Sequence, residues 1–177
     1  GTNPGVNEQS AALYRLPWAQ LFIRVVSTPA IGASMDALDI YKKLVTGKAS
    51  GDITKLAGDL ATQERIARAT NGIAEMTSVL FGNFDAMLRD LDSSDGITME
   101  SRILYRYQAS LVIEKCINLV DELFSAAGGS SVFKGSHIQQ RFLDIHTARA
   151  HVANNPTAFA RNLGAVALGA DNGDFFV

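Results

Sequence analysis

The chain has 177 residues, enough for one ordinary domain with a buried core and too few for two of usual size. Sixteen Lys and Arg stand against 18 Asp and Glu, so the net charge is −2 and there is no basic excess to neutralise a nucleic-acid backbone. Apolar residues make up 47% and charged ones 19%, a globular balance far from that of disordered chains. The single cysteine, Cys116, excludes an internal disulfide and a thiolate metal cluster, and a reducing, cytoplasmic setting is expected. No run of eighteen apolar residues and no N-terminal signal pattern is present, so no membrane association is expected. The chain opens Gly1-Thr2-Asn3-Pro4-Gly5 without a methionine, as a piece of a longer protein would.

Apolar spacing follows the helical period, with almost no strand-like alternation, and predicts an all-α protein. Residues 1–15 read as an extended lead-in. Pro17 opens a short helix carrying Leu21, Phe22 and Val25, which is expected to stop near Ser27 because Pro29 suits a helix's first turn. A second helix then carries Ile31, Met35, Leu38 and Leu44 to Gly47. A long helix follows from about Asp59, its stripe running Ile66, Ala69, Ile73, Met76, Leu80, Phe84, Met87 and Leu91, and it ends in the turn-forming Asp92-Ser93-Ser94-Asp95-Gly96. Residues 98–127 form another, with Ala109, Ile113, Cys116, Val120, Leu123 and Ala127 on one stripe and Leu104, Leu111, Val112 and Leu119 covering other sides. At 1.5 Å per residue both rods are about 45 Å long. Gly128-Gly129-Ser130-Ser131 breaks the helix, a further one is expected over Ile138–Ala153, and Pro156 starts another toward Leu168. Long helices with short connections predict an up-and-down four-helix bundle over residues 16–170, with 171–177 as a loop tail.

Several chemistries fail on spacing. No Glu-x-x-His pair exists to hold two irons, and Asp144 and His146, two apart, point about 200° away from each other on a helix. The acidic stretch from Asp90 has Asp95 where a calcium loop needs glycine and Ser101 where it needs glutamate. Cys116 lies in an apolar stripe and reads as packing rather than nucleophile. A glycine pair at a helix end, followed by Ser130 and Ser131, has the makings of an anion cradle, although glycine there is also common for steric reasons. His146, on a helix lined by Phe142, Ile145 and Ala148, is open to a structural or a catalytic reading.

The run Gln140-Arg141-Phe142-Leu143-Asp144-Ile145-His146, then Ala150-His151 and Asn155-Pro156, resembles the C-terminal motif of flavin-dependent aromatic hydroxylases built on the acyl-CoA dehydrogenase fold. Tyr14-Arg15-Leu16-Pro17-Trp18, the glycine pair, and the late Leu163-Gly164 to Leu168-Gly169 stretch extend the likeness. Such proteins are the oxygenase components of two-component monooxygenases and carry a helical domain and a β domain ahead of the bundle. The resemblance therefore implies a C-terminal bundle, reduced FMN or FAD supplied by a separate flavin reductase, and a phenolic or polycyclic aromatic substrate. It further implies a homo-oligomer, a tetramer or dimer, formed through this bundle.

By the same resemblance Gly128, Gly129, Ser130, Ser131 and Arg141 are flavin contacts and His146 is the acid–base residue, with Asp144 its neighbour in the motif. An imidazole suits the handling of a phenolic proton near neutrality. The dehydrogenases' Tyr-Glu-Gly-Thr motif is replaced by His151-Val152-Ala153-Asn154, so their glutamate base is missing. Leu143 stands where many relatives have arginine, and Lys42, Lys43 or Lys48 is left to meet the flavin phosphate as a point charge. Arg141 also has a plainer partner in Asp144, three residues on. The rival readings are an acyl-CoA dehydrogenase-type domain and a non-catalytic helical oligomerisation module.

Overall fold

A computed structural model describes residues 8–47 and 57–177, the side chain of Ser130 excepted. Lys48 and the first seven residues of the lead-in lie outside the described residues. Those described form five α-helices: α1 (Trp18–Gly47), α2 (Leu60–Asp90), α3 (Met99–Ala126), α4 (His137–Ala148) and α5 (Pro156–Ala167). Three short 3-10 turns accompany them, at Ala12–Arg15, Gly129–Val132 and Val152–Asn154, and no strand occurs among the described residues. The start of α2 is set by Asp59, whose carboxylate accepts from the Thr62 N–H at 2.8 Å, and that of α3 by Thr98, which accepts from the Ser101 N–H.

Cross-contacts give the directions. Gln20 Nε2 donates to Arg102 O, so the starts of α1 and α3 lie together and the two run the same way. Tyr41 meets Arg65, Met76 meets Cys116, and Phe124 meets Phe142, so α2 and α4 run the other way. The result is the up-and-down bundle that the periodicity predicts. α3 touches every other α-helix, while α2 and α4 flank the α1–α3 pair without extensive contact with each other. All six residues of the predicted α3 stripe are buried, as are Ala69, Ile73, Met76, Leu80 and Met87 of α2.

Four expectations are corrected. The helix does not stop at Ser27: α1 runs through Pro29 without a break. An interior proline forgoes a hydrogen bond and costs about 3 kcal/mol, but the buried residues Ile23, Ser27, Ala30, Ile31 and Ser34 span Pro29 and keep one axis against α3. The buried face of α1 is only in part the one expected: Ile31 and Leu38 are buried and Leu44 packs against the core, but small residues make up much of the rest. Val25 is 68% exposed and Met35 41%, whereas Ser27, Ala30, Ser34 and Ala37 are buried. On α3, Ala109, Ser110 and Cys116 are equally small and buried, Cys116 meets Ser34, and small residues on both helices let two backbones approach closely. Leu104 of α3 is 39% exposed rather than core. Finally, α4 ends at Ala148, five residues short of the expected Ala153, and a separate 3-10 turn follows.

By length and hydropathy α1 alone among the described helices is long and apolar enough to cross a membrane. It carries buried Gln20, Arg24, Ser27 and Ser34, which marks it as the core helix of the bundle.

Candidate active site

His146 lies on the last turn of α4 with its side chain 38% exposed. It is not sunk among aliphatic neighbours. Its ring packs on Phe142, one helical turn earlier, with centroids 4.3 Å apart, and Phe142 stacks on Phe124 of α3 at 4.5 Å. This aromatic stair fixes the imidazole plane. Its Nε2 is 2.9 Å from Asp121 Oδ1 of α3. A carboxylate only accepts, so Nε2 carries the proton of the neutral ring and Nδ1 is left with a lone pair.

Asp144 is not the partner of His146. It accepts from Arg141 Nη1 at 2.6 Å and Gln140 Nε2 at 2.7 Å, on the other side of α4. Arg141 Nε is also 2.9 Å from Asp36 of α1. Two carboxylates thus bracket the guanidinium, and its charge serves to tie α4 to α1. Asp121 was missed in the sequence because its relation to His146 is across helices; its only local signal was an acidic side chain near the end of an apolar helix.

The glycine–serine turn follows α3 directly. Gly128 has φ 76°, a left-handed conformation that glycine alone adopts easily. Ser131 is buried, and its hydroxyl donates to Gly128 O at 2.6 Å. Its polar group is therefore used within the turn. Gly129 offers only backbone, and the Ser130 side chain lies outside the described residues. Lys42 sits 3.8 Å from Asp39. Lys43 lines a hollow with Asp36 and His137 at the other side of α4.

At the same end of the bundle a cavity of about 630 Å³ opens between α2 and α3, lined by Glu64, Arg65, Arg68, Asp121, Glu122 and Ser125 among others. The partner of His146 thus forms part of its wall. Arg68 pairs with Glu64, while Arg65 donates to the Tyr41 hydroxyl at 3.2 Å and has no carboxylate at ion-pairing distance among the described residues. No group of three or more His, Cys, Asp or Glu suited to a metal ion occurs among the described residues.

A second imidazole has the opposite arrangement. His151 caps the Val152–Asn154 turn, its Nδ1 accepting from the Ala153 N–H at 3.1 Å. That bond places the proton of the neutral ring on Nε2, on an exposed side chain. The structure brings together His146, Asp121 and Phe142; the glycine turn lies beyond the end of α3, beside the start of α4 where Gln139 Nε2 donates to Val132 O, and Asp144 and Arg141 face the other side of α4.

A helical bundle of this topology defines a class of fold, and the comparisons give it a family. The family described as acyl-CoA dehydrogenase, C-terminal domain, matches residues 24–156, and the chain belongs to that family. Among individual proteins, the flavin-dependent monooxygenase oxygenase subunit HsaA of Rhodococcus jostii is 27% identical over 159 residues, covering 88% of this chain and 41% of that protein. The oxygenase component of p-hydroxyphenylacetate 3-hydroxylase from Acinetobacter baumannii is 24% identical over 160 residues, covering 89% and 37%. The crystal structure of the HsaA monooxygenase from M. tuberculosis superposes with a TM-score of 0.87 at 26% identity, covering 98% of this chain and 44% of that one. XiaF from Streptomyces, solved with FADH2 and glycerol, shares the fold at a TM-score of 0.80 and 18% identity. This chain spans about two-fifths of the length of these curated relatives.

Proposed function

We propose that this chain is the C-terminal bundle of a reduced-flavin-dependent monooxygenase that hydroxylates a phenolic or polycyclic aromatic compound, with FMN or FAD delivered by a separate flavin reductase. The similarity to oxygenase components supports the reaction class. The observation that carries the reading is the Asp121–His146 pair at the end of an aromatic stair, open to solvent rather than packed in the core. Asp121 holds Nε2 and steadies a positive ring; Nδ1 is then the atom that accepts the phenolic proton, while Phe142 keeps water off one ring face.

The fit to a flavin is uneven. The stair and the imidazole suit the ring side, where bound reduced flavin supplies the activated oxygen. The phosphate side fits less well, because Ser131 and Arg141 are already committed and the Gly128 N–H donates to Ser125 O, leaving the Gly129 amide and the charge of Arg65, held only by the Tyr41 hydroxyl at hydrogen-bond distance among the described residues, to meet an anion. The site belongs to the cytoplasmic, oligomeric enzyme as a whole, residues 16–170 being the bundle domain; the 177-residue chain alone is expected to be inactive.

The test uses the complete protein with its reductase and a phenolic substrate. His146→Gln should lower single-turnover hydroxylation on the order of 10²-fold or more, the range of a lost general base, with flavin affinity retained; Asp121→Asn should lower it less. Unchanged turnover in His146→Gln would overturn the assignment. A second reading gives the contact with the reacting centre to His151, whose exposed Nε2–H is a donor, and a loss confined to His151→Gln would select it. Oxidation of acyl-CoA without oxygen incorporation would instead favour the dehydrogenase reading, and failure of the complete protein to bind flavin in any redox state would favour an oligomerisation module.

A further inference from the structure

The C-terminal residues 171–177 are non-helical but firmly held. Asn162 Oδ1 accepts from the Gly173 N–H at 2.8 Å, Asn162 Nδ2 donates to Asn172 Oδ1, and Asp174 Oδ1 accepts from the Phe176 N–H at 2.9 Å. Phe176 lies against Trp18 and Phe22 at the start of α1. These contacts bring Asp174 Oδ2 to 3.3 Å from Arg106 Nε of α3, with both side chains largely buried.

Arg106 is held on three sides. Besides Asp174, its guanidinium lies 3.4 Å from the centre of the Phe159 ring, and its Nη1 donates to Ala153 O at 3.1 Å. Ala153 is the residue whose N–H binds His151 Nδ1. The same turn is anchored from the other side by Asn154, which donates to Ala148 O at 2.9 Å. One residue, Ala153, therefore has its carbonyl fixed by a buried arginine and its amide fixed on an imidazole.

We infer that Arg106 and Asp174 are positioning residues for His151, acting through Ala153, so that the C-terminal segment sets the tautomer and orientation of that ring. The inference about geometry stands on the contacts above; its bearing on catalysis rests on the second reading, in which His151 meets the reacting centre. A buried guanidinium is costly to keep without a counter-charge, and removing Asp174 takes away the one carboxylate at ion-pairing distance from Arg106 among the described residues. Arg106 then turns toward water, Ala153 O loses its donor, and the His151 ring is freed to rotate and exchange tautomers.

Carbethoxylation by diethylpyrocarbonate, followed peptide by peptide by mass spectrometry on the complete protein at a pH well above the imidazole range, reads this directly. The reagent attacks an imidazole nitrogen with a free lone pair, and in His151 that lone pair is occupied by the Ala153 N–H. His137, exposed and without a side-chain partner among the described residues, serves as the internal reference. Asp174→Asn and, independently, Arg106→Lys should raise the His151 rate relative to His137 by about fivefold, the factor set by the net strength of one hydrogen bond; Asp174→Glu should restore it. A His151 rate unchanged relative to His137 in Arg106→Lys, or a rise shared equally by all three histidines, would overturn the inference in favour of a purely structural ion pair. Hydroxylation by His151→Gln separates the two claims: normal turnover there removes the catalytic reading and leaves the labelling result to decide the geometry.

Discussion

Arg24 sits 4% exposed between α1 and α2, with no carboxylate at ion-pairing distance among the described residues and with Nη1 lacking any partner. With the Asn83 amide turned so that its oxygen faces the arginine, Nη2 donates to it at 2.6 Å, the one hydrogen bond the group makes among the described residues. Burial pushes its pKa well below the usual arginine value, to about 10. Each unit is worth 1.36 kcal/mol, so holding the charge at neutral pH costs the folded state about 3 kcal/mol. Arg24→Met keeps the apolar stem and removes the charge. It also removes the donor to Asn83, but that amide can turn back and donate to Gln108 Oε1 at 2.8 Å, limiting the loss to about 1 kcal/mol. The variant should therefore be more stable by about 2 kcal/mol at pH 7 in urea unfolding, with an unchanged m-value.

The pH dependence has a definite sign. Because the folded-state pKa lies below the unfolded one, the cost is fully present below pH 10 and fades as the pH rises from about 10 toward the usual arginine range. The advantage of Arg24→Met over wild type should shrink across that window, and the difference between the two proteins cancels every other titration. A loss of more than about 1 kcal/mol in Arg24→Met at pH 7 would refute the reasoning, since it would mean that the guanidinium is better solvated or paired than its surroundings show.

Leu123 is fully buried where α3 meets the rest of the core, and Leu123→Ala should cost 2–5 kcal/mol by chemical denaturation. Burial pushes the Cys116 thiol up to about 11, so the native protein should resist iodoacetamide at pH 8 and react once unfolded in urea. The same shift predicts that its contribution to stability is intact below pH 9 and is lost as the pH climbs from 9 toward 11. The Thr62 N–H holds the Asp59 carboxyl below its usual range, so Asp59→Ala should lower the melting temperature at pH 7 and abolish part of the stability loss seen as the pH falls below 4.

The stripes of α2 and α3 were legible because large apolar residues at three- and four-residue steps have one outcome on a helix: a buried face. The helix starts near Asp59 and at residue 98 and the glycine after α3 were equally local, although the capping bonds of Asp59 and Thr98 came only with the structure. The face of α1 was harder to read, since Ser27, Ala30, Ser34 and Ala37 are buried for the close approach they permit, a property of the partner helix as much as of their own. Pro29 misled for a related reason, since packing on both sides of it outweighs one lost hydrogen bond.

The candidate site divides the same way. Spacing and resemblance brought attention to His146 and already implied that Asp144, on the same helix, points elsewhere. They could not supply Asp121, because a hydrogen bond between helices depends on how two rods settle against each other. Nor could they show that Asp174 returns to Arg106 from the far end of the chain. The order of residues determined which segments are helical and which side of α2 and α3 turns inward, because those are short-range consequences of backbone geometry and water. The pairing of charges, the state of each imidazole and the seating of the tail were decided only by the folded whole, where distance in space replaces distance in sequence.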